Sequence, residues 1–277
     1  MRVLHSSSEL RTALQGVSDV AFVPTMGNLH DGHISLVRQA KRLGGPVVTS
    51  IFINPLQFGP SEDFERYPRT LSADTERLEQ AGCDFLFAPS VAEMYPYPQR
   101  FLVQPPLADE LCGAFRPGHF AGVCTVVLKL FNMVAPRYAL FGKKDYQQWF
   151  LLDSMTRELN LPIQVIGAET ERAEDGLALS SRNGYLTATQ RTEATFLFQQ
   201  LREIRDALNR GERDFEKLEQ GASHSLNRRG WRVDYFSVRA QATLLAPKPD
   251  DKKLVILGAA WLGNTRLIDN VEVTLLD

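Results

Sequence analysis

His30 and His33 stand three residues apart, directly ahead of Ile34, Leu36 and Val37 at helical spacing, and behind an apolar run from Val20 to Val23 that stops at Pro24. This reads as a strand feeding a helix through a tight loop, with both imidazoles on one face of the first helical turn. Backbone N–H groups in that turn have no intrahelical partner, and the helix end carries partial positive charge, so an anion is favoured there. Gly27 and Gly32 are expected to let a phosphate approach the backbone. The same field disfavours further cations. The imidazoles are therefore expected to act as neutral donors, with the positive charge a triphosphate needs supplied from elsewhere in the chain. Taken alone, the two histidines also fit a metal site with Asp31, or polar residues on a wet helix face.

A second chemically suggestive stretch is Asp175-Gly-Leu-Ala-Leu-Ser180-Ser181-Arg182-Asn183-Gly184. Two hydroxyls followed by an arginine, flanked by glycines, suit phosphate oxygens held from a movable loop, because the guanidinium offers a fork of charged donors. The plainer reading is a polar hinge whose serines cap the next segment. Lys144 lies at another strand-to-helix junction, Gly142-Lys-Lys-Asp-Tyr-Gln-Gln148, and Asn54 and Gln57 lie in a polar loop after the run Pro46 to Ile53. Loops beyond the C-terminal ends of strands are where open α/β sheets bind ligands.

The elements that must position these groups alternate. Ser6 and Glu9 have capping-box spacing ahead of a short helix. Pro46 to Ile53 is β-branched and continuous, as a strand buried on both faces of a parallel sheet would be. A helix over Ser72 to Gln80, with Asp74 in its first turn, precedes a strand over Asp84 to Ala88. Pro89 to Pro106 is expected to be an ordered surface loop, Val123 to Val134 a buried helix, Tyr138 to Phe141 a strand, and Pro162 to Ile166 another. The expected fold is α/β, a Rossmann-like parallel sheet with helices on both faces over residues 1–170, then a smaller α+β domain over 171–277. In the latter, Thr187 to Asn209 and Asp214 to Arg228 read as helices, and Gly263-Asn264 as a hairpin turn between strands.

The 277 residues are 44% hydrophobic and 23% charged, enough to bury a large core. With 31 basic and 33 acidic residues the net charge of −2 leaves no electrostatic footprint for nucleic acid or an anionic membrane. Cys83, Cys112 and Cys124 are odd in number and widely spaced, which argues against a disulfide framework and a structural zinc site and suits a reducing cytoplasm. No run reaches the length of a membrane span, and the first residues lack an apolar signal core.

PTMGNLHDGH, IFINPLQFG, FERYPRTL, FAPSVAEMYP, RPGHFAGV with TVVLKLFN, GKKDYQQ and DGLALSSRNGYL, in this order and at these separations, closely resemble the pantothenate synthetase (pantoate–β-alanine ligase) family. The likeness is strong from about residue 20 to 190 and weaker beyond. It is far more specific than His-x-Gly-His, which the wider nucleotidyltransferase superfamily shares with class I aminoacyl-tRNA synthetases. The resemblance implies a cytoplasmic homodimer with ATP, pantoate and β-alanine as substrates, Mg2+ as cofactor, and the smaller domain as a lid. The reaction it implies runs through pantoyl-adenylate with loss of pyrophosphate, after which β-alanine displaces AMP.

By the same resemblance His30, His33, Lys144, Ser180, Ser181 and Arg182 are the catalytic donors to the phosphates. Pro24, Thr25, Met26 and Gly27 help bind ATP, with Gly142, Asp145 and backbone near Leu179 at the adenosine end. Gln57 and Gln148 match the pantoate-binding positions, joined by Asn54, and Pro24, Met26 and Phe58 face its gem-dimethyl group. Asp74 lies near the magnesium-associated acidic positions, although the helix macrodipole explains it equally well. Asp145 reads also as a helix N-cap, and Gln147-Gln148 also as plain helix surface. Arg116 is a candidate partner for a substrate carboxylate and His119 a local structural donor. One departure is Lys143, where the family usually has Glu. Two other functions fit the superfamily motifs: a nucleotidyltransferase on another acid, and a non-catalytic nucleotide-binding protein. Eroded polar loops would mark the second, and the loops here are intact.

Overall fold

The computed structural model describes residues 1–60 and 62–275. In chain order it forms β1 (Arg2–Leu4), α1 (Ser7–Leu14), β2 (Ala21–Thr25), α2 (Asp31–Lys41), β3 (Val47–Ile51), a 3₁₀ turn (Pro55–Gln57), α3 (Leu71–Gln80), β4 (Phe85–Phe87), α4 (Val91–Met94) and a 3₁₀ turn (Gly113–Phe115). There follow α5 (His119–Val134), β5 (Tyr138–Gly142), a 3₁₀ turn (Lys143–Asp145), α6 (Tyr146–Glu158) and β6 (Gln164–Ala168). The remainder comprises a 3₁₀ turn (Ser181–Tyr185), α7 (Ala188–Glu193), α8 (Thr195–Asn209), α9 (Phe215–Arg228), β7 (Arg232–Ala240), β8 (Lys253–Leu262) and β9 (Thr265–Thr274).

Two compact units result. Met1–Lys143 and Gln148–Glu171 make the first, whereas Lys144–Gln147 group with the chain from Arg172 onward. The boundary after Glu171 lies in the charged, turn-rich stretch, but the inclusion of Lys144–Gln147 in the second unit has no sequence signal.

In the first unit six strands pair in parallel in the order β1-β4-β3-β2-β5-β6. The chain moves from β2 outward through β3 and β4 on one side, and through β5 and β6 on the other. The C-terminal ends of β2 and β5 therefore flank the switch point where such sheets hold ligands. β3 carries Val47, Val48, Thr49 and Ser50 with no exposed surface, which is why its sequence is apolar without alternation. Val37 of α2, Leu78 of α3 and Leu140 of β5 join it in one core. In the second unit β7, β8 and β9 form an antiparallel sheet. Leu197, Leu201 and Leu208 of α8 and Leu226 of α9 bury Ile256 and Ala260 of β8 against them.

Several elements differ from the sequence expectation. The strand β1 pairs with β4 although three residues carry no readable period. Within Pro89 to Pro106, α4 forms where Ser90 accepts from the backbone N–H of Glu93 at 3.1 Å. Left-handed Gly118, at φ +78°, opens α5 four residues before Val123, and Thr187 to Asn209 is two helices meeting at Ala194. Among the described residues, no helix is long and apolar enough to cross a membrane.

Candidate active site

The loop after β2 is shaped by buried polar contacts. The Thr25 hydroxyl donates to the Ser50 carbonyl at 2.8 Å and accepts from Gly27 N–H at 3.2 Å, fastening the strand end to β3 and starting the turn. The next two N–H groups donate to one carboxylate: Asn28 to Asp74 Oδ2 at 2.9 Å and Leu29 to Asp74 Oδ1 at 2.8 Å. Thr70 Oγ1 adds a third donor to Asp74 at 3.0 Å. With 2% of its surface exposed, Asp74 is the anchor of this loop. Gly27 lies at φ +84°, and a Cβ there would stand 3.1 Å from both Asp74 Oδ2 and Ile51 Cγ2.

Helix α2 opens with His30 at its N-cap. His33 Nδ1 accepts from the backbone N–H of His30 at 3.3 Å. A backbone N–H only donates, so the neutral His33 ring carries its proton on Nε2 and presents that nitrogen as a donor. The two rings are 4.0 Å apart between centroids. A Cβ on Gly32 would fall 2.9 Å from His30 Cε1. The motif's glycine therefore makes room for an imidazole, and Gly27 for a carboxylate and a methyl.

Beyond β3, the turn Pro55–Gln57 presents a polar shelf whose polarity is determined. Asn54 Oδ1 accepts from Leu56 N–H at 3.3 Å and from the Tyr95 hydroxyl at 2.7 Å, and Nδ2 donates to the Gly122 carbonyl at 3.1 Å. Backbone partners cannot exchange roles, so the Asn54 amide has one orientation. Its Nδ2 also donates to Gln57 Oε1 at 3.1 Å, which turns the Gln57 amide nitrogen toward Met26 Sδ, 3.2 Å away. Gln57 thus presents N–H, and an incoming acceptor can replace the weak sulfur contact. Burial pushes the Tyr95 phenol above its ordinary pKa and keeps it a donor. Helix α5 packs on this turn because Gly122 has no side chain; a Cβ would run into the Leu56 carbonyl and approach Gln57 Cα to 2.8 Å.

The shelf has a second support. His119 Nδ1 meets the Gln57 carbonyl at 2.8 Å, and its Nε2 lies 2.9 Å from Arg116 Nη1. Arginine only donates, so His119 accepts at Nε2 and donates from Nδ1, as the structural donor expected. The Arg116 fork is engaged by Glu62 at 2.8 and 2.6 Å. At the end of β5, Gly142 opens onto space, since a Cβ there would meet no atom within 4 Å. Lys143 pairs with Glu169 at 2.8 Å. Gln148 is half-buried on α6, and its neighbour Gln147 is buried, so this pair is not helix surface.

The second unit holds the other candidates. Lys144 and Asp145 close the 3₁₀ turn before α6. Residues 172–178 form a tight antiparallel turn, with Arg172 bridged to Ala178 and Gly176 at φ +91°. Leu179 follows, and then Ser180 Oγ accepts from Arg182 N–H at 3.3 Å, so Ser180 caps the turn Ser181–Tyr185. Asn183 Nδ2 donates to the Ala178 carbonyl at 2.9 Å and locks that turn. Ser181 and Arg182 are half-buried.

The profile of the family described as Pantoate-beta-alanine ligase matches residues 2–272. The chain belongs to the pantoate–β-alanine ligase family. It is 56% identical to the pantothenate synthetase of Thiobacillus denitrificans, over 99% of this chain and 98% of that one. With that of Nitrosomonas europaea it shares 56% identity over 99% and 100%. The crystal structure of pantothenate synthetase from Thermus thermophilus superposes with a TM-score of 0.93 at 44% identity, over 99% of this chain and 100% of that one. The Francisella tularensis ligase, crystallised with β-γ ATP and β-alanine, gives a TM-score of 0.78 at 32% identity, over 98% and 97%.

Within this ligase fold, the first unit joins Met26, Asn54 and Gln57 in one hydrogen-bonded set and His30 with His33 in another. Three of the residues expected at ligands also hold backbone: Thr25, Asn54 and Asp74. The sequence reading misses Tyr95 and Gly122; Gly122 falls inside a helix only because α5 starts at His119 rather than at Val123. Among the described residues, no three His, Cys, Asp or Glu side chains are placed to hold a metal ion. Both Asp74 oxygens accept from loop N–H groups, so Asp74 anchors the histidine loop.

Proposed function

We propose that this chain condenses pantoate with β-alanine to pantothenate at the expense of ATP. A pantoate carboxylate oxygen attacks the α-phosphorus, the bond to the β-phosphate bridge breaks, and pyrophosphate leaves with the electron pair. The neutral amine of β-alanine then attacks the pantoyl-adenylate carbonyl; AMP departs and the new amide loses one proton. Both steps move negative charge onto phosphate oxygens, where preorganised donors act most strongly. His33 Nε2–H and His30 serve as such donors at the N-terminus of α2. Lys144, Ser180, Ser181 and Arg182 add donors and positive charge to the nucleotide, and Gly142, Asp145 and Leu179 serve its adenosine end.

The observation that carries this reading is the oriented amide of Gln57 beside Met26, at the switch point that also bears the histidine loop. A donor next to a thioether suits an acid carrying a hydroxyl and methyl groups; Gln148 supplies a second amide, and Pro24 and Phe58 further apolar surface. Magnesium enters with ATP as part of the substrate, as is usual for phosphate-bound Mg2+. A homodimer in the cytoplasm belongs to the same reading, and a monomer mass in sedimentation equilibrium would remove the dimer.

The deciding experiment follows pyrophosphate and AMP from ATP and magnesium. Near-stoichiometric pyrophosphate with pantoate alone, becoming continuous turnover to pantothenate when β-alanine is added, is the expected result. ATP binding without release under any combination would overturn the reading.

A further inference from the structure

Strand β9 touches both phosphate elements of the second unit with closely spaced residues. Asn270 Nδ2 donates to the Lys144 carbonyl at 3.0 Å. Two residues along, Glu272 Oε1 accepts from the Tyr146 hydroxyl at 2.9 Å. Positions 270 and 272 share a face of the strand, so that face straps down the Lys144–Tyr146 segment at two points. Asp269 does the corresponding work for the other element. Its carboxylate, 4% exposed, takes the Arg172 fork at 2.6 and 2.8 Å. Arg172 in turn donates to the Gly176 carbonyl at 3.1 Å and lies 3.6 Å over the Phe198 ring. Arg172 is the base of the turn that delivers Ser180, Ser181 and Arg182.

We propose that Asp269 and Asn270 are positioning residues for nucleoside triphosphate chemistry. Asn270 sets the Lys144 backbone, and Asp269 sets the serine–arginine turn through Arg172. Because the two residues are adjacent in a paired strand, the spacing of the two donor groups is fixed by one peptide unit and the β8–β9 ladder rather than by the loops themselves. Neither residue needs to touch substrate. The inference rests on the proposed ligase reaction and on the phosphate role given there to Lys144 and Arg182.

The test is a pair of double-mutant cycles on single-turnover pyrophosphate release, with melting temperature and KM for ATP and pantoate measured alongside. Asn270→Ala is expected to lower the rate about tenfold, one hydrogen bond's net worth, with KM for pantoate unchanged. In a Lys144→Ala background the same substitution should cost no more than about twofold, since it acts through a side chain already gone. Asp269→Asn is read in the same way against Arg182→Ala. If Asn270→Ala does not fold, Tyr146→Phe removes the neighbouring strap without changing volume and enters the same cycle. Losses that multiply in the double variants, or a lowered melting temperature with unchanged rate, would overturn positioning and leave a structural role. Wild-type protein that binds ATP but releases no pyrophosphate would instead defeat the ligase reading itself.

Discussion

The histidine loop and the serine–arginine turn are both suited to anions, yet they are held in opposite ways. In the first unit, buried side chains reach out to the loop backbone: Asp74 collects two N–H groups, Thr25 staples the strand end, and Asn54 orients Gln57. In the second, the turn is closed by its own residues, Ser180 to Arg182 and Asn183 to Ala178, and is tethered by the ion pairs Arg172–Asp269 and Asp175–Arg191. A donor that must discriminate a substrate's shape benefits from a buried, over-determined scaffold. The serine–arginine turn is half-buried and takes its shape from contacts within the second unit.

The difference is open to direct attack. Lys144→Ala should reduce turnover roughly 100- to 1,000-fold if the amine acts on transition-state charge, while the melting temperature stays near wild type; an equal loss for Lys143→Ala would break the distinction between the two lysines. Asp74→Ala leaves two loop N–H groups without acceptors, and should lower stability by about 2–4 kcal/mol in chemical denaturation. Extra magnesium should not restore the activity lost with it, whereas restoration would return Asp74 to metal binding. Asn54→Asp sets a carboxylate against the Gln57 and Gly122 carbonyl oxygens and should reverse the shelf; initial rates should show KM for pantoate raised about 10- to 100-fold and KM for ATP unchanged. Lys143→Ala removes a pairing with well-exposed Glu169 and a contact over the Trp149 ring, and assays should find less than about fivefold change.

The smallest effect concerns acid stability of the second unit. Glu193 is held below the ordinary glutamate range by the Arg229 guanidinium and by the Trp231 indole N–H. A lowered folded pKa supports the fold above the unfolded value, and that support is lost as pH falls through the folded one. Thermal melts from about pH 7 to about pH 3 should therefore fall less steeply for Glu193→Gln than for wild type. Identical slopes would remove the carboxylate from the account.

Much of the fold was legible because its signals are local. The Ser6 capping box forms as read, β3 is buried on both faces as its unbroken apolar run requires, and Gly263 turns the β8–β9 hairpin at φ +58°. Ser180 as a cap was likewise one of two open readings, and the hydrogen bond is there. What escaped has no local period: β1 exists only because β4 offers it an edge, and Lys144–Gln147 join the second unit through Asn270 and Glu272, over a hundred residues away.

By itself the sequence determined the order of elements, the placement of polar loops after strands, and the residue types that those loops carry. Helical spacing, turn residues and apolar runs express near-neighbour physics, and motifs such as PTMGNLHDGH carry it intact. The tertiary structure alone decided which of those polar residues face protein and which way the others point. Asp74 became an anchor, Gly32 a space for His30, and Gln57 a donor, because each depends on a partner brought by the folded chain. A hydrogen bond's direction is set by both of its atoms, and one sequence position names only one of them.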